Sequence, residues 1–353
     1  MFDRWLRVRL SPTNTADFHY RWLRHACDLD RHPLTNERTV CSSELPDDVR
    51  ARRAFVEGGE LRVEWAHDHR ESRYALAWLE RHAYAKDRDK LALRAPPNDV
   101  GGFEIDGAEL SVDGRVERAL HLVRERGAAI VRVPARERNG AEQATESIID
   151  AFAARGLSVI PTHFGRIEDL RTDNTTNANT DQLGYTDAAV ELHTDQPFLD
   201  EPPHFQMLHA IRAADEGGHN AIVDALGAAE ALRAEDADAY AILTSTPVTF
   251  HRTQKSFERV VVSPILSRDR NGRFRVRYSY FTMAPHKLPF DEMEGFYRAY
   301  DRFARLVRSP QNQVRFLLEP GDFLLYDNHR MLHARTSFRG PRWMRGVYFD
   351  VAA

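Results

Sequence analysis

The sequence predicts a mostly β protein with flanking helices: a double-stranded β-helix (jelly roll) preceded by a small N-terminal α+β module. Two observations support this fold class. Short apolar runs bounded by turn residues recur through the second half of the chain, whereas few stretches have a helical period. A charged stretch containing Pro and Gly, residues 86–102, reads as a linker. We therefore predict a module over residues 1–88 and a jelly-roll domain over residues 95–353.

The N-terminal part has one clear strand and one clear helix. Residues 60–65 alternate apolar and charged side chains after Gly58-Gly59, which predicts a half-buried strand. Residues 74–82 have a helical pattern, and Ser72 is the expected N-cap.

The second part begins with helical and strand patterns and continues mainly as short strands. A polar run without periodicity, residues 171–180, precedes the metal motif described below and is a candidate lid. Asn271-Gly272 predicts a hairpin turn between two strands. The remaining predicted elements are helices over 116–126, 141–155, 225–233 and 293–307 and strands over 127–134, 157–161, 202–210, 220–224, 260–266, 274–281, 314–318, 323–327 and 345–351.

Composition excludes several classes of protein. The net charge of -4 and the 29% of charged residues lack the basic excess of a nucleic-acid binder. No apolar run approaches the length of a membrane span, and the N-terminus lacks a secretory signal. Two cysteines make a disulfide framework unlikely and fit a reducing compartment. We expect a cytoplasmic protein with a small-molecule substrate and no nucleic-acid or membrane partner.

The motif His193-Thr194-Asp195 is the strongest candidate for chemistry. In residues 190–197 apolar side chains alternate with His193 and Asp195, as in a strand, and side chains at i and i+2 share one face. A second imidazole from His333 would complete a 2-His-1-carboxylate set. Such a set suits a non-haem Fe(II) oxygenase because it leaves coordination positions open for a co-substrate and dioxygen.

Two further features lie near the C-terminal histidine. His333 follows His193 by 140 residues, a separation that a jelly roll permits because distant strands lie side by side. Nine residues later comes Arg342. A guanidinium near the metal can hold the far end of a dicarboxylate bidentately, whereas the alternative is an ordinary surface arginine.

These residues belong to a longer set of motifs. The set includes His19-Tyr20-Arg21-Trp22, Leu192-His193-Thr194-Asp195, Gly217-Gly218, Pro320-Gly321-Asp322, Leu332-His333 and Arg342 with Gly346-Val347-Tyr348. In its order and spacing, over nearly the whole chain, it resembles the γ-butyrobetaine hydroxylase branch of the Fe(II)/2-oxoglutarate dioxygenases, within the taurine dioxygenase-like group.

The resemblance implies a role for each matching residue. His193, Asp195 and His333 would be the catalytic iron ligands, and Arg342 would pair with the C5 carboxylate of 2-oxoglutarate. Asn220 stands where relatives often have a Thr or Ser that bonds the co-substrate. Because related halogenases lack the carboxylate, Asp195 favours hydroxylation.

The resemblance is weaker on the substrate side. Tyr185 and Tyr348 match tyrosines of the family's aromatic cage, which holds a trimethylammonium group by cation–π attraction. Phe164 matches a third aromatic, with core packing as the alternative. No counterpart of the cage tryptophan occurs in residues 165–171. Ser279 replaces the asparagine that receives the substrate carboxylate.

The N-terminal module also departs from the family. Relatives bind a structural zinc there through three cysteines and a histidine. Only Cys27 and His69 match clearly here, while Asp30 or His32 could substitute. A tetrahedral structural zinc needs four N or S ligands. The resemblance therefore leaves structural zinc in doubt, with apolar packing as the alternative.

The function expected from the sequence is Fe(II)/2-oxoglutarate-dependent hydroxylation of a small molecule, with O2 as oxidant and a betaine-type trimethylammonium compound as one substrate class. An amino acid or a secondary-metabolite precursor is the alternative, and the outcome would then be hydroxylation, desaturation or cyclisation. A non-catalytic small-molecule sensor is the alternative from another class. The resemblance also implies a homodimer.

Overall fold

The computed structural model describes residues 1–84, 102–172, 182–254, 257–269 and 272–351. The N-terminal segment has two small antiparallel sheets, β1–β2 and β3–β4–β5, and two short helices. Its elements are β1 (Trp5–Arg9), β2 (Thr15–His19), α1 (Tyr20–Ala26), β3 (Ala51–Glu57), β4 (Glu60–Trp65), β5 (Glu71–Ala75) and α2 (Leu76–Arg81).

The strand predicted over residues 60–65 is β4, whereas the expected N-cap is wrong. Ser72 lies inside β5, and its hydroxyl accepts a hydrogen bond of 2.6 Å from the indole Nε1 of Trp65. Ala75 is the residue before the helix. A buried indole N–H requires an acceptor, and Ser72 meets that requirement instead of capping α2.

The rest of the chain contains five α-helices and seventeen strands within the described ranges. They are β6 (Glu104–Asp106), α3 (Val112–Arg126), β7 (Ala128–Arg132), α4 (Ala141–Ala153), β8 (Leu157–Val159), β9 (Glu168–Arg171), β10 (Val190–His193), β11 (Phe205–Arg212), β12 (Glu216–Gly217), β13 (Asn220–Asp224), α5 (Ala225–Glu235), α6 (Ala237–Ser245), β14 (Val248–Gln254), β15 (Phe257–Ser263), β16 (Leu266–Arg268), β17 (Phe274–Val276), α7 (Phe290–Arg308), β18 (Val314–Phe316), β19 (Phe323–Asp327), β20 (Met331–Arg335), β21 (Phe338–Arg339) and β22 (Trp343–Val351).

Two sheets position the site. The larger has the order β6-β7-β19-β11-β22-β8, with β9 also pairing with β22, and the smaller has the order β10-β20-β13-β18. Apart from the parallel pair β6–β7, their pairings are antiparallel. The mostly β architecture with flanking helices agrees with the sequence prediction.

The two faces of the larger sheet have different neighbours. On β11 and β22, Met207 and Val347 pack into the apolar cluster that includes α3 and α4. Leu208 and Met344 lie an odd number of residues from Met207 and Val347 along the same strands. They pack into a second cluster with Ile222 of the smaller sheet. Because strand side chains alternate between faces, the cavity described below opens on the face that bears Leu208 and Met344.

The two strands predicted on either side of the Asn271-Gly272 turn have different bounds from those expected. Residues 260–266 are not one strand, because β15 ends at Ser263 and β16 begins at Leu266, on either side of Pro264. Proline has no N–H for a sheet ladder. The strand predicted over residues 274–281 is also shorter, since β17 ends at Val276, and it pairs with β16, whereas β15 pairs with β14.

The N-terminal segment packs directly on the C-terminal part. Buried Trp22 donates from its indole Nε1 to the carbonyl of His286 at 3.1 Å, and Arg21 forms a 2.6 Å ion pair with Asp301 on α7. Apolar residues of both parts form one cluster. Most of the predicted linker and most of the candidate lid lie outside the described residues. Among the described helices, none is long and apolar enough to cross a membrane.

Candidate metal centre and its cavity

The three predicted metal ligands meet at one point. His193 ends β10 and is the register partner of His333 on the neighbouring strand β20. Nε2 of His193 lies 3.2 Å from Oδ1 of Asp195, and Nε2 of His333 lies 4.0 Å from the same oxygen. The two imidazole centroids are 4.1 Å apart. Two nitrogens and one carboxylate oxygen therefore converge on one side, as a facial triad requires.

The route by which Asp195 reaches this point differs from the prediction. The strand ends at His193, and Gln196 has a left-handed backbone with φ of 52°. Asp195 is held instead by Asn328, whose Oδ1 accepts from the Asp195 amide at 2.8 Å and whose Nδ2 donates to the Asp195 carbonyl at 3.0 Å. A side chain from the turn before β20 thus replaces the strand ladder.

Both imidazoles have a fixed outer partner. Nδ1 of His193 lies 2.7 Å from the carbonyl oxygen of Glu191, so Nδ1–H donates and Nε2 keeps its lone pair. Nδ1 of His333 lies 2.7 Å from the hydroxyl of Tyr326, which donates in turn to the side-chain oxygen of Gln206. Such hydrogen bonds fix the tautomer and the orientation of a metal-binding histidine.

The protonation states fit a divalent cation. Burial lowers the pKa of His333 to about 3, and the charge of His193 adds to this effect. Burial alone would raise the pKa of Asp195, but His333, His193 and a hydrogen bond from Tyr348 bring it down to about 2. At neutral pH His333 is a neutral imidazole and Asp195 is ionised, which are the forms that bind a metal.

A second group of possible ligands lies outside the cavity. His204, Asp327 and His329 also bring their ligand atoms together. Nε2 of His329 already lies 3.0 Å from the carbonyl of Pro202, and Nε2 of His204 lies 3.5 Å from Asp327. Of the two groups, His193, Asp195 and His333 are the one that lines the cavity.

The cavity at the triad has a volume of about 110 Å³. Five residues singled out in the sequence line it: Arg342, Asn220, Phe164, Ser279 and Tyr348. The ring of Tyr185 is outside this lining, with its centroid 6.3 Å from that of Phe164.

Arg342 is a buried cation that faces no protein anion among the described residues. It is 8% exposed, and its guanidinium carbon lies 5.5 Å from the ring centroid of Phe338. Burial lowers its pKa to about 9, and the nearby charge of Arg335 adds to this effect. Within the described ranges, Arg342 has no ion pair and no hydrogen bond to the protein. A buried charge requires a partner, so the guanidinium fits the carboxylate of a bound dicarboxylate.

Two acidic residues of the cavity were missed by the sequence analysis. Glu168 on β9 is buried and lines the cavity. Glu37 comes from the N-terminal segment, and it pairs with Arg252 of β14 at 2.5 Å and accepts from the Leu183 amide. Both residues stand out because they are buried and have hydrogen-bond or ion-pair partners. Neither lies in a recognisable sequence motif. The only sequence signal was the acidic side chain of Glu168 soon after Phe164.

The residues proposed for zinc are arranged around an arginine. The guanidinium of Arg24 donates to Sγ of Cys27 at 3.1 Å, pairs with Asp30, and pairs with Asp68 at 3.0 Å. His69 is exposed, and its Nδ1 lies 3.4 Å from Arg52. In the part of the chain that the structure describes, no three ligand atoms gather around Cys27 and His69. This donor set does not fit a tetrahedral zinc.

Known proteins share this sequence pattern. The sequence model of the Taurine catabolism dioxygenase TauD, TfdA family matches residues 92–348. The γ-butyrobetaine dioxygenase of Pseudomonas sp. (strain AK-1) is 30% identical over 355 residues, covering 98% of this chain and 89% of that protein. The trimethyllysine dioxygenase of Meyerozyma guilliermondii is 27% identical over 367 residues, covering 95% and 88%. The solved structure of the non-haem iron oxygenase OrfP with Fe and α-ketoglutaric acid aligns with a TM-score of 0.49 at 21% identity, covering 66% of this chain and 77% of that one.

The chemistry of the site and these matches define the class as Fe(II)/2-oxoglutarate-dependent dioxygenases, which are oxidoreductases that use O2. The chain belongs to the TauD, TfdA family. Within that family it lies in the branch with the γ-butyrobetaine and trimethyllysine dioxygenases, which confirms the resemblance found in the sequence.

Proposed function

We propose that this enzyme hydroxylates a C–H bond of a small molecule with a cationic nitrogen, of the betaine or the amino-acid type. The observation that carries the proposal is the shared cavity of the triad and Arg342, a guanidinium without a protein anion in the described ranges. The relatives named for γ-butyrobetaine and trimethyllysine support a substrate with a cationic nitrogen.

In this proposal the iron ligands are His193, Asp195 and His333. Arg342 receives the far carboxylate of 2-oxoglutarate, and the buried amide of Asn220 bonds the co-substrate. Iron, 2-oxoglutarate and O2 together supply an oxidant strong enough for an unactivated C–H bond, with succinate and CO2 as co-products. The chain's own contribution is to orient the substrate carbon and to exclude water from the cavity.

The substrate end of the cavity combines aromatic and polar groups. Of the three predicted cage aromatics, Phe164 and Tyr348 line the cavity and would face the cationic head, since aromatic faces attract cations, whereas Tyr185 lies outside the lining. Ser279 is fully buried, and its hydroxyl has no hydrogen-bond partner among the described residues. Because a buried hydroxyl without a partner is costly, Ser279 would bond a polar group of the substrate.

The domain organisation and the assembly belong to the same proposal. The two facing sheets would form the jelly roll of a catalytic domain over residues 95–353, and residues 1–88 would form the accessory module. We also expect a homodimer, which light scattering on the purified chain tests directly.

The test of the function has a binding part and a turnover part. Anaerobic addition of Fe(II) and 2-oxoglutarate is expected to produce the weak visible charge-transfer band of the ternary complex. Succinate formation is then measured against a panel of betaines, amines and amino acids, with mass spectrometry of the products to separate hydroxylation from desaturation or cyclisation. Absence of the band, together with no stimulated succinate formation, would refute the proposal.

A further inference from the structure

Glu168 is a buried carboxylate in the wall of the substrate cavity. It is 3% exposed and lies on β9. Its register partner on β22 is Gly346, which has no side chain, and a Cβ placed there would lie 3.6 Å from Oε2 of Glu168. The absence of a side chain on Gly346 leaves the carboxylate open on that side.

The neighbours of Glu168 are neutral or negative. Oε1 accepts a hydrogen bond of 2.8 Å from the amide of Gln182. Oε2 lies 3.4 Å from the hydroxyl of Tyr348, and the hydroxyl of Tyr185 also faces the carboxylate. Tyr348 has one proton, and its shorter hydrogen bond, 2.9 Å, goes to Asp195. Glu168 therefore has hydrogen-bonding neighbours, but no Lys, Arg or His forms an ion pair with it in the described ranges.

Glu168 and Arg342 thus form a complementary arrangement. Among the residues that the structure describes, Glu168 is a buried carboxyl group without a cationic partner and Arg342 is a buried guanidinium without an anionic partner, and both line the same cavity. Gly346, opposite Glu168, is four residues from Arg342 along extended chain, which corresponds to about 13 Å. Two ligands of opposite charge, one at each end, would satisfy both residues.

We propose that Glu168 is the counter-ion of the substrate's cationic head and that this head carries at least one N–H, as in a protonated amine or a guanidinium. This inference deepens the proposed function and rests on it. A carboxylate has about four acceptor positions, and Gln182 and the tyrosines leave part of this capacity unused. A quaternary ammonium group has no N–H to donate, so it gains only charge attraction from Glu168.

The aromatic surroundings favour the same head group. No tryptophan is among the described residues that line the cavity, and tryptophan is the strongest cation–π partner among the aromatic side chains. The described aromatics near Glu168 are Tyr185, Tyr348 and Phe164. A carboxylate that pairs with an N–H replaces part of the attraction that the missing ring would provide.

The test compares ligands that differ by one methyl group on nitrogen. 4-(Dimethylamino)butyrate and γ-butyrobetaine are titrated by calorimetry into the protein loaded with Mn(II) and 2-oxoglutarate. We expect the wild type to bind the dimethyl compound more tightly. Glu168→Gln should weaken that binding on the order of tenfold or more and weaken trimethyl binding less. Glu168→Asp, which keeps the charge, should retain part of the preference, and Glu146→Gln, on the exposed face of α4, serves as the control.

Each outcome is informative. A wild type that prefers the trimethyl compound, or a Gln variant with unchanged affinity for both ligands, would overturn the inference, because Glu168 would then be a neutral hydrogen-bonding residue. Succinate formation with either compound supports the proposed function independently. If turnover occurs without any effect of Glu168→Gln on affinity, the inference fails while the proposed function stands.

Discussion

The hydroxyl of Tyr348 donates a 2.9 Å hydrogen bond to Oδ2 of Asp195. Oδ1, the other oxygen of this carboxylate, faces the two imidazoles. One side chain of β22 therefore orients the carboxylate of Asp195, a proposed metal ligand, while its ring lines the same cavity. Sequence reasoning assigned Tyr348 to substrate alone, because a hydrogen bond between residues 153 positions apart leaves no local signal in the sequence.

We expect Tyr348→Phe to weaken Fe(II) binding about tenfold, because outer partners of metal ligands contribute affinity on that scale. The substitution keeps the ring and removes only the hydroxyl. Anaerobic titration with Fe(II) in the presence of 2-oxoglutarate measures the change through the visible band. Tyr185→Phe is the matched control, since its hydroxyl faces Glu168. Iron affinity equal to that of the wild type would show that the Asp195 carboxylate needs no support from Tyr348.

Arg342→Gln is expected to raise the KM for 2-oxoglutarate about a hundredfold, because removing one partner of a buried charge pair costs several kcal/mol. The KM of Arg342→Lys should lie between those of the wild type and the Gln variant, since a point charge cannot bind a carboxylate bidentately. Succinate formation against 2-oxoglutarate concentration gives both values. The exposed Arg339→Gln is the control. An unchanged KM in the Gln variant would assign the co-substrate carboxylate to another cation.

Particular residues show how far the sequence predicts this molecule. The sequence predicts through the triad motif that His193 and His333 meet, but its apolar pattern does not reveal β20, the strand that carries His333. Arg342 follows from spacing within a family motif. Asn328, which holds Asp195, and Glu37, which crosses from the N-terminal segment to Arg252, depend on tertiary contacts. Ser72 is a residue type that often caps helices, yet its hydroxyl accepts a hydrogen bond from the indole N–H of Trp65. Burial in the folded protein decides which of these contacts form, and the linear sequence pattern carries no information about burial.

The arginine-centred cluster gives a prediction about stability. Arg24→Met leaves the carboxylates of Asp30 and Asp68 without their buried cation, so the free energy of unfolding should fall by about 3 kcal/mol. Arg7→Met, which breaks the exposed pair with Asp17, is the control and should change the free energy of unfolding far less, because exposed ion pairs are screened by solvent. Urea unfolding measures both variants. A zinc chelator should leave the wild-type Tm unchanged, and a fall in Tm on chelation would contradict this account of the cluster.

The same cluster has an expected acid limit. Burial alone would raise the pKa of Asp68, but hydrogen bonds from Arg70 and Arg24 bring it down to about 2. A carboxyl with a lowered folded-state pKa stabilises the protein above its unfolded pKa and loses that contribution as the pH falls. The stability difference between wild type and Asp68→Asn should therefore be present at pH 6 and disappear between about pH 4 and pH 2. A difference that is constant down to pH 2 would exclude ionised Asp68 as its source.

In the metal-free protein, Glu168 should make the free energy of unfolding fall as the pH rises, which is the opposite of the effect of Asp68. Burial raises its pKa to about 8, and the charge of Asp195 adds to this shift. Since the unfolded value is about 4.3, the folded state binds the extra proton between these two values, and its stability falls as the pH rises through that range. Relative to wild type, Glu168→Gln should therefore gain on the order of a few kcal/mol in unfolding free energy from pH 5 to pH 8. Urea unfolding at both pH values, with Glu146→Gln as control, measures this gain, and parallel pH profiles would contradict it. A bound amine should offset the loss of stability at pH 8 in the wild type alone, because its N–H cation pairs with the ionised carboxylate.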